Sequence, residues 1–187
     1  MEHRAIILDF FGVMCSEISP IWLRRYFSSE ESEFLKSGLV READLGTISD
    51  EGLFESLGKA AHISAKQVED EWWELVNINS ELIDLLPSFS SRYQLGLLTN
   101  APSRFFHRIL RTYDITNFFK VVMVSSEIGV AKPDALAYER ALAGMGLQAA
   151  ATVMVDDTPH NVLGARAVGM AAVLYTSAAD LSERFLP

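Results

Sequence analysis

Five short runs of aliphatic and β-branched residues punctuate this chain of 187 residues: Ala5 to Leu8, Leu95 to Leu98, Val121 to Val124, Thr152 to Val155 and Ala171 to Leu174. Each is too short to cross a bilayer, which takes about 20 consecutive apolar residues. Strands that are apolar at successive positions are buried on both faces, as in a parallel sheet covered by helices. Amphipathic stretches at about Ser103 to Tyr113, Asp134 to Ala143 and Asn161 to Val168 separate the later runs, the last closed by Gly169 in a C′ position. This alternation predicts a doubly wound, Rossmann-like α/β fold built on a parallel sheet.

One stretch breaks the rhythm. Residues 15–82 read as helix throughout. Ser64 to Gln67 has the form of a capping box, Val68, Trp72, Leu75 and Val76 then recur on one helical face, and Gly46 to Asp50 turns into another helix through Leu53, Phe54 and Leu57. The segment holds six basic and fourteen acidic residues, against ten and eleven in the rest of the chain, so it carries eight of the nine excess negative charges. The expected organisation is a core of residues 1–14 and 83–187 with a small helical cap, 15–82, inserted after the first strand.

Composition narrows the function classes. A net charge of −9 argues against general nucleic-acid binding, which draws its affinity from Lys and Arg. The single cysteine, Cys15, forms no internal disulfide and no Cys/His cluster offers a zinc site, which suits a reducing cytoplasm. The start Met1-Glu2-His3-Arg4 runs into a strand without the pattern of a signal peptide, so a cytoplasmic protein that engages neither membrane nor nucleic acid is expected.

In a doubly wound fold, ligands bind beyond the carboxyl ends of the strands. Asp9 follows the first run, Thr99-Asn100 the second and Asp156-Asp157 the fourth, with Lys132 in the loop region beyond the third. Carboxylates crowded at one edge repel unless a divalent cation neutralises them, and an all-oxygen donor set favours Mg²⁺. A lysine, a hydroxyl and a helix N-terminus beside that cation suit a phosphoryl group, whose charge is spread over several oxygens. The residues therefore point to magnesium-assisted phosphoryl transfer.

These residues also resemble a known family, the haloacid dehalogenase-like hydrolases. Ile7-Leu8-Asp9-Phe10-Phe11-Gly12-Val13 resembles the family's first motif, Leu98-Thr99-Asn100 the second, Ala131-Lys132-Pro133-Asp134 the third and Val155-Asp156-Asp157-Thr158-Pro159-His160-Asn161 the fourth. The helical insert is similar to the family's C1 cap, and Gly46-Thr47-Ile48-Ser49 resembles a turn of such caps. The resemblance implies that Asp9 is a nucleophile forming an aspartyl-phosphate on a small phosphorylated metabolite. It implies that Thr99, Asn100 and Lys132 assist catalysis and, with Phe11 and Gly12, contact the substrate. It assigns the metal to Asp9, the Phe11 carbonyl and Asp157, with Asp156 an alternative ligand or a partner behind it, and has Asn161 act through water or by orienting Lys132.

One position departs from the pattern. Most phosphatases of the family carry an aspartate two residues after the nucleophile as general acid and base, and here Phe11 stands there. Such a group is typically worth about 10²- to 10⁴-fold in rate. An aromatic residue at that point also resembles the metal-independent 2-haloacid dehalogenases, whereas the paired Asp156-Asp157 favours the phosphatase; a non-catalytic phosphate-binding protein is a third reading. Trp72 and Trp73 are expected in the cap core, Arg104, Arg108 and Arg111 on a solvated helix face, and the cap's acidic residues mostly in solvent. His107 has no partner pattern, His160 falls inside the fourth motif, and Cys15 reads as a small buried hydrophobe.

Overall fold

The computed structural model describes residues 3–186; Met1 and Glu2, part of the stretch read as lacking a signal peptide, and Pro187, the last residue of the expected core, lie outside the described residues. Five parallel strands, β1 (Ala5–Leu8), β2 (Gln94–Thr99), β3 (Phe119–Val124), β4 (Thr152–Asp156) and β5 (Ala171–Leu174), form one sheet in the order β3-β2-β1-β4-β5. Between β1 and β2 come α1 (Ser19–Tyr26), α2 (Ser29–Leu35), a π-helical turn (Lys36–Val40), α3 (Arg41–Asp44), α4 (Asp50–Ala61), α5 (Ala65–Glu74) and α6 (Ser80–Arg92). Then α7 (Ser103–Tyr113) follows β2, α8 (Ser125–Ile128) and α9 (Ala135–Met145) follow β3, α10 (Pro159–Ala167) follows β4, and α11 (Ala178–Phe185) follows β5.

The winding steps outward from β1 through β2 to β3 and then returns to put β4 on the other side of β1. That reversal opens a crevice at the carboxyl ends of β1 and β4. Leu8 pairs with Leu97 on one side and Val155 on the other, so Asp9 and Asp156 leave the sheet as neighbours.

The apolar runs are continuous because both sheet faces are covered. Ile6, Leu8, Leu95, Leu97, Val153 and Val155 face one side with Phe105, Phe106 and Ile109 of α7 and Leu181 of α11. Their neighbours Ala5, Ile7, Leu98 and Met154 face the other, against Ala137, Tyr138 and Ala141 of α9 and Val162 and Ala165 of α10. At Gly96 a β-carbon would meet the Met145 sulfur at 3.0 Å, so the glycine lets α9 lie close on the sheet. Helix α10 ends just before Gly169, as expected, while α9 runs past the expected Ala143 to Met145 and closes on Gly146; both glycines have positive φ.

The chain enters and leaves the insert through one paired crossing. Cys15 bridges Ile78, Ser16 Oγ donates to the Leu75 carbonyl and accepts the Asn77 N–H, and the Asn79 amide donates to the Val13 carbonyl at 3.0 Å. The expected boundary at 82/83 falls inside α6, which packs on β2 and α11. Val68 and Trp72 are buried as the periodicity suggests. The capping box is only half formed: Ser64 Oγ accepts the Gln67 N–H, while the Gln67 side chain donates to Glu71 instead.

The insert shares one apolar cluster with the sheet, because Trp22, Leu23, Leu53, Phe54 and Trp72 continue into Phe10, Phe105 and Phe106. Polar contacts add to this join. Asp50, the first residue of α4, accepts the Phe105 N–H at 2.8 Å and the Arg104 N–H at 3.3 Å, capping α7 where its own N-cap, Pro102, makes no side-chain bond. Arg104 meets Glu51 at 2.9 Å and Glu69 at 3.5 Å. Arg108 reaches Glu69 at 3.4 Å and lies 4.0 Å from the centre of the Trp73 ring. Arg104, Arg108 and Arg111 are exposed, as expected of a solvated face, and the first two also meet carboxylates of the insert, so part of the insert's acidity answers them.

Candidate active site

Lys132 is the centre of the site. Its side chain is 1% exposed, and Nζ lies 2.8 Å from Asp9 Oδ1 and 2.6 Å from Asp156 Oδ2. Burial by itself would drive the ammonium toward deprotonation; the two carboxylates more than reverse that and raise its pKa. Its loop is clamped by Asn100, whose Oδ1 accepts the Lys132 N–H and whose Nδ2 donates to the Lys132 carbonyl, both at 2.9 Å. Asn100, expected to act on substrate, thus has both ends of its amide engaged in positioning the lysine.

Asp156 is completely buried and fully partnered. Beside Lys132 it accepts the Thr158 N–H at 2.9 Å and the Asn161 amide at 3.0 and 3.2 Å. Asn161 is fixed in turn by Tyr138, whose hydroxyl donates to the Asn161 carbonyl at 2.7 Å. The expected link from Asn161 to Lys132 runs through the Asp156 carboxylate, which both contact.

Asp157 turns the other way. It is half-buried, receives the Thr158 hydroxyl at 3.3 Å and lies against Gly12. A β-carbon on Gly12 would sit 2.1 Å from Asp157 Oδ2, and φ there is +88°, so this position excludes a side chain on two counts. The N–H of Gly12, a residue expected to contact the substrate, donates to the Cys15 carbonyl at 2.7 Å.

Carboxylate oxygens of Asp9, Asp156 and Asp157 lie within 4.8 Å of one another. Burial pushes the Asp9 carboxyl up to about 8, Lys132 pulling against that shift and Asp156 adding to it. Burial and the Asp156 charge raise Asp157 as well. Three carboxyls around one ammonium leave the cluster short of positive charge. Its hard oxygen donors fit a small divalent cation, and Gly12 leaves room for the Asp157 carboxylate among them.

A cleft of about 470 Å³ opens over Asp9 and Lys132. Phe11, Trp72 and Phe105 supply apolar wall, and His160, exposed in the first turn of α10, is also at its edge. Trp72 is cap core and cleft wall at once, packing edge-on against Phe54 and Phe105 at 5.3 and 5.7 Å. Thr99 is wholly buried at the end of β2 and its hydroxyl has no hydrogen-bond partner among the described residues. Such an orphan group costs roughly 1–3 kcal/mol unless a ligand completes it.

The cap wall contains residues that motif reading missed: Glu17, Lys36, Arg41 and Asp44. Burial raises Glu17, and it raises Asp44 to about 7. No spacing rule marks these residues, since their shared property is the cavity. His107 makes a surface contact with Glu127 at 2.7 Å, away from the cleft lining. Cys15 is a buried free thiol, as expected. No helix among the described residues is long and apolar enough to cross a membrane.

The chain is similar to several known proteins. A profile of the haloacid dehalogenase-like hydrolases matches residues 34–175. The chain is 24% identical over 177 residues to a sesquiterpene phosphatase of Aspergillus oryzae, covering 92% of this chain and 90% of that protein. It is 36% identical over 110 residues to a glyceraldehyde 3-phosphate phosphatase of Methanothermobacter thermautotrophicus, covering 58% of this chain and 47% of the relative. Among solved structures, a HAD family enzyme from Bacteroides thetaiotaomicron, crystallised with magnesium and inorganic phosphate, matches the fold with a TM-score of 0.82 at 19% identity, over 98% of this chain and 99% of that one. The family profile spans well over half of the sequence, and the chain belongs to the haloacid dehalogenase-like hydrolases.

Proposed function

We propose that the protein is a Mg²⁺-dependent phosphatase of small phosphorylated metabolites that works through an aspartyl-phosphate on Asp9. The observation that carries this reading is the triad of Asp9, Lys132 and Asp156 set beside Asp157, because it joins a nucleophile, a fixed cation and a set of metal donors in one buried cluster. Asp9, the Phe11 carbonyl and Asp157 would hold the metal. Asp156, with its oxygens already engaged by Lys132, Asn161 and Thr158, would act from behind. Bound Mg²⁺ would cancel charge between the Asp9 carboxylate and an incoming phosphate and polarise the phosphoryl group.

In the first step an Asp9 carboxylate oxygen attacks phosphorus, the bond from phosphorus to the alcohol oxygen breaks, and the alcohol leaves with a proton. Lys132 meets the charge gathering on the phosphoryl oxygens, and the unpartnered Thr99 hydroxyl donates to one of them. Water then attacks the aspartyl-phosphate, releasing inorganic phosphate and the carboxylate. Phe11 carries no proton, so the leaving alcohol takes one from water or from a cleft carboxyl. The helical insert would serve as the cap that selects the alcohol, with residues 1–14 and 83–187 as the catalytic core.

The test is phosphate release from a panel of phosphorylated metabolites, with Mg²⁺ or with chelator, by wild type and Asp9→Asn. Release that needs Mg²⁺ and disappears in Asp9→Asn is expected. Release that persists in the variant would overturn the assignment of Asp9. Halide release from 2-haloacids that ignores the chelator would replace the phosphatase with a dehalogenase.

A further inference from the structure

The cleft has a second pole, on its cap wall, that phosphoryl transfer leaves unused. There α2 passes through the π-helical turn Lys36–Val40 into α3, and this stretch brings Lys36 and Arg41 to the cavity that contains Asp9 and Lys132. In a regular α-helix, residues five apart stand about 140° apart around the axis, so one of the two would face away. The π-turn changes this, because the Arg41 N–H bonds the Lys36 carbonyl, five residues back. The extra residue in the turn brings both cations to one side. Single π-turns of this kind are rare and recur at functional sites.

Neither cation is closely paired: no carboxylate of the described residues lies within 4 Å of the exposed Lys36 or the half-buried Arg41, whereas Arg104, Arg108, Lys66 and Arg184 all have such partners; at longer range Asp44 feels both charges and Glu17 feels Lys36. Two carboxyls share their wall, Glu17 and Asp44, and a third, Glu33, stands exposed at the cleft. Burial raises Glu17 and Asp44, so both give up their charge more readily than an ordinary carboxylate. Lys36 and Arg41 are the cations of the wall, and a guanidinium fork beside an ammonium matches a carboxylate.

We propose that Lys36 and Arg41 form an anion subsite that receives a carboxylate carried by the alcohol part of the phosphomonoester, so that the preferred substrate is anionic at both ends. This rests on the phosphatase reading, which places the phosphoryl group at Asp9 and Lys132.

Calorimetric titration in the presence of Mg²⁺ tests the subsite without turnover. Phosphonoacetate, ethylphosphonate and inorganic phosphate are titrated into wild type, Lys36→Gln, Arg41→Gln and Arg41→Lys. The two phosphonates have nearly the same size and differ in the carboxylate. Wild type is expected to bind phosphonoacetate at least tenfold more tightly than ethylphosphonate. Each Gln variant removes most of that preference, and Arg41→Lys keeps part of it. Equal affinity for the two phosphonates in wild type, or variants that weaken both ligands alike, overturns the subsite. If ethylphosphonate and inorganic phosphate bind but the carboxylate adds nothing, only the subsite fails. If inorganic phosphate does not bind either, the phosphatase reading fails and the subsite falls with it.

Discussion

Gly12 and Asp157 are in contact across the site: any β-carbon at residue 12 would lie 2.1 Å from the Asp157 carboxylate. The glycine therefore makes room for the carboxylate that the proposed metal site would use as a donor. Gly12→Ala should displace the Asp157 carboxylate and raise the Mg²⁺ concentration needed for half-maximal activity by tenfold or more. The positive φ adds roughly 1–2 kcal/mol of destabilisation. Metal titration of activity and a denaturation curve read the two effects separately.

Lys132 compensates two buried carboxylates at once, through contacts of 2.8 and 2.6 Å. Lys132→Met would leave Asp9 and Asp156 facing each other without it. Breaking a buried pair by removing one partner costs about 3–5 kcal/mol. Urea unfolding should show a loss of that order, and phosphate release should fall at least 10³-fold even where the variant is folded.

The raised carboxyls set a pH dependence of stability. The Asp9 pKa stands at about 8 in the folded chain against an ordinary 3.8, and Asp44 at about 7. A carboxyl with a raised folded pKa binds its proton more tightly in the native state, so its contribution is complete below about pH 4 and is lost as pH rises toward 8. Metal-free protein should therefore lose thermal stability between pH 5 and 8. Asp9→Asn should flatten that slope, and Mg²⁺ should stabilise wild type more at pH 8 than at pH 5. A melting temperature that rises across this window without metal would contradict the assignment.

Phe11 lines the cleft at the position where most family phosphatases carry their acid. Phe11→Asp should increase kcat on alkyl phosphates by about 10-fold or more, the lower part of what a general acid contributes. Activated aryl phosphates, whose leaving groups need no proton, should gain little. Equal gains on both would show that proton supply is not the missing element.

Asp50 ties the insert to α7 through the N–H groups of Phe105 and Arg104. Asp50→Ala should cost about 1–2 kcal/mol, the value of a helix N-cap, and Asp50→Asn should recover much of it. Charge removal at Arg104 should cost well under 1 kcal/mol, because that pair is about half exposed. Denaturation midpoints of the three variants rank these contributions.

Much of the architecture could be read in advance, for a definite reason. Runs such as Ala5 to Leu8 are apolar at every position because helices cover both faces, and burial of that kind leaves a local mark. The order of the polar residues at the strand ends could likewise be read, since Asp9, Thr99 and Asp156 each close a strand or follow it directly. The partners of Arg104 and Arg108 could not: Glu51 and Glu69 lie in a distant part of the chain, and helical spacing marks an exposed arginine stripe without marking what meets it. The hold of Asn100 on the Lys132 backbone could not be read either, because a motif marks proximity and says nothing about which hydrogen bonds a side chain makes.

Residue order thus sets the sheet, the helical insert and the gathering of carboxylates with one lysine, since these follow from apolar periodicity and from the rule that strand ends meet at a reversal of winding. Folding divided the roles within that group. Asp156 and Asp157 are adjacent and chemically identical, yet one is buried against Lys132, Asn161 and Thr158 while the other fills the place that a side chain at Gly12 would take. Likewise Lys36 and Arg41 share a face because one turn of helix is wound with an extra residue. Both outcomes depend on the direction in which a side chain leaves the backbone, and that direction is set by packing against residues far away in the chain.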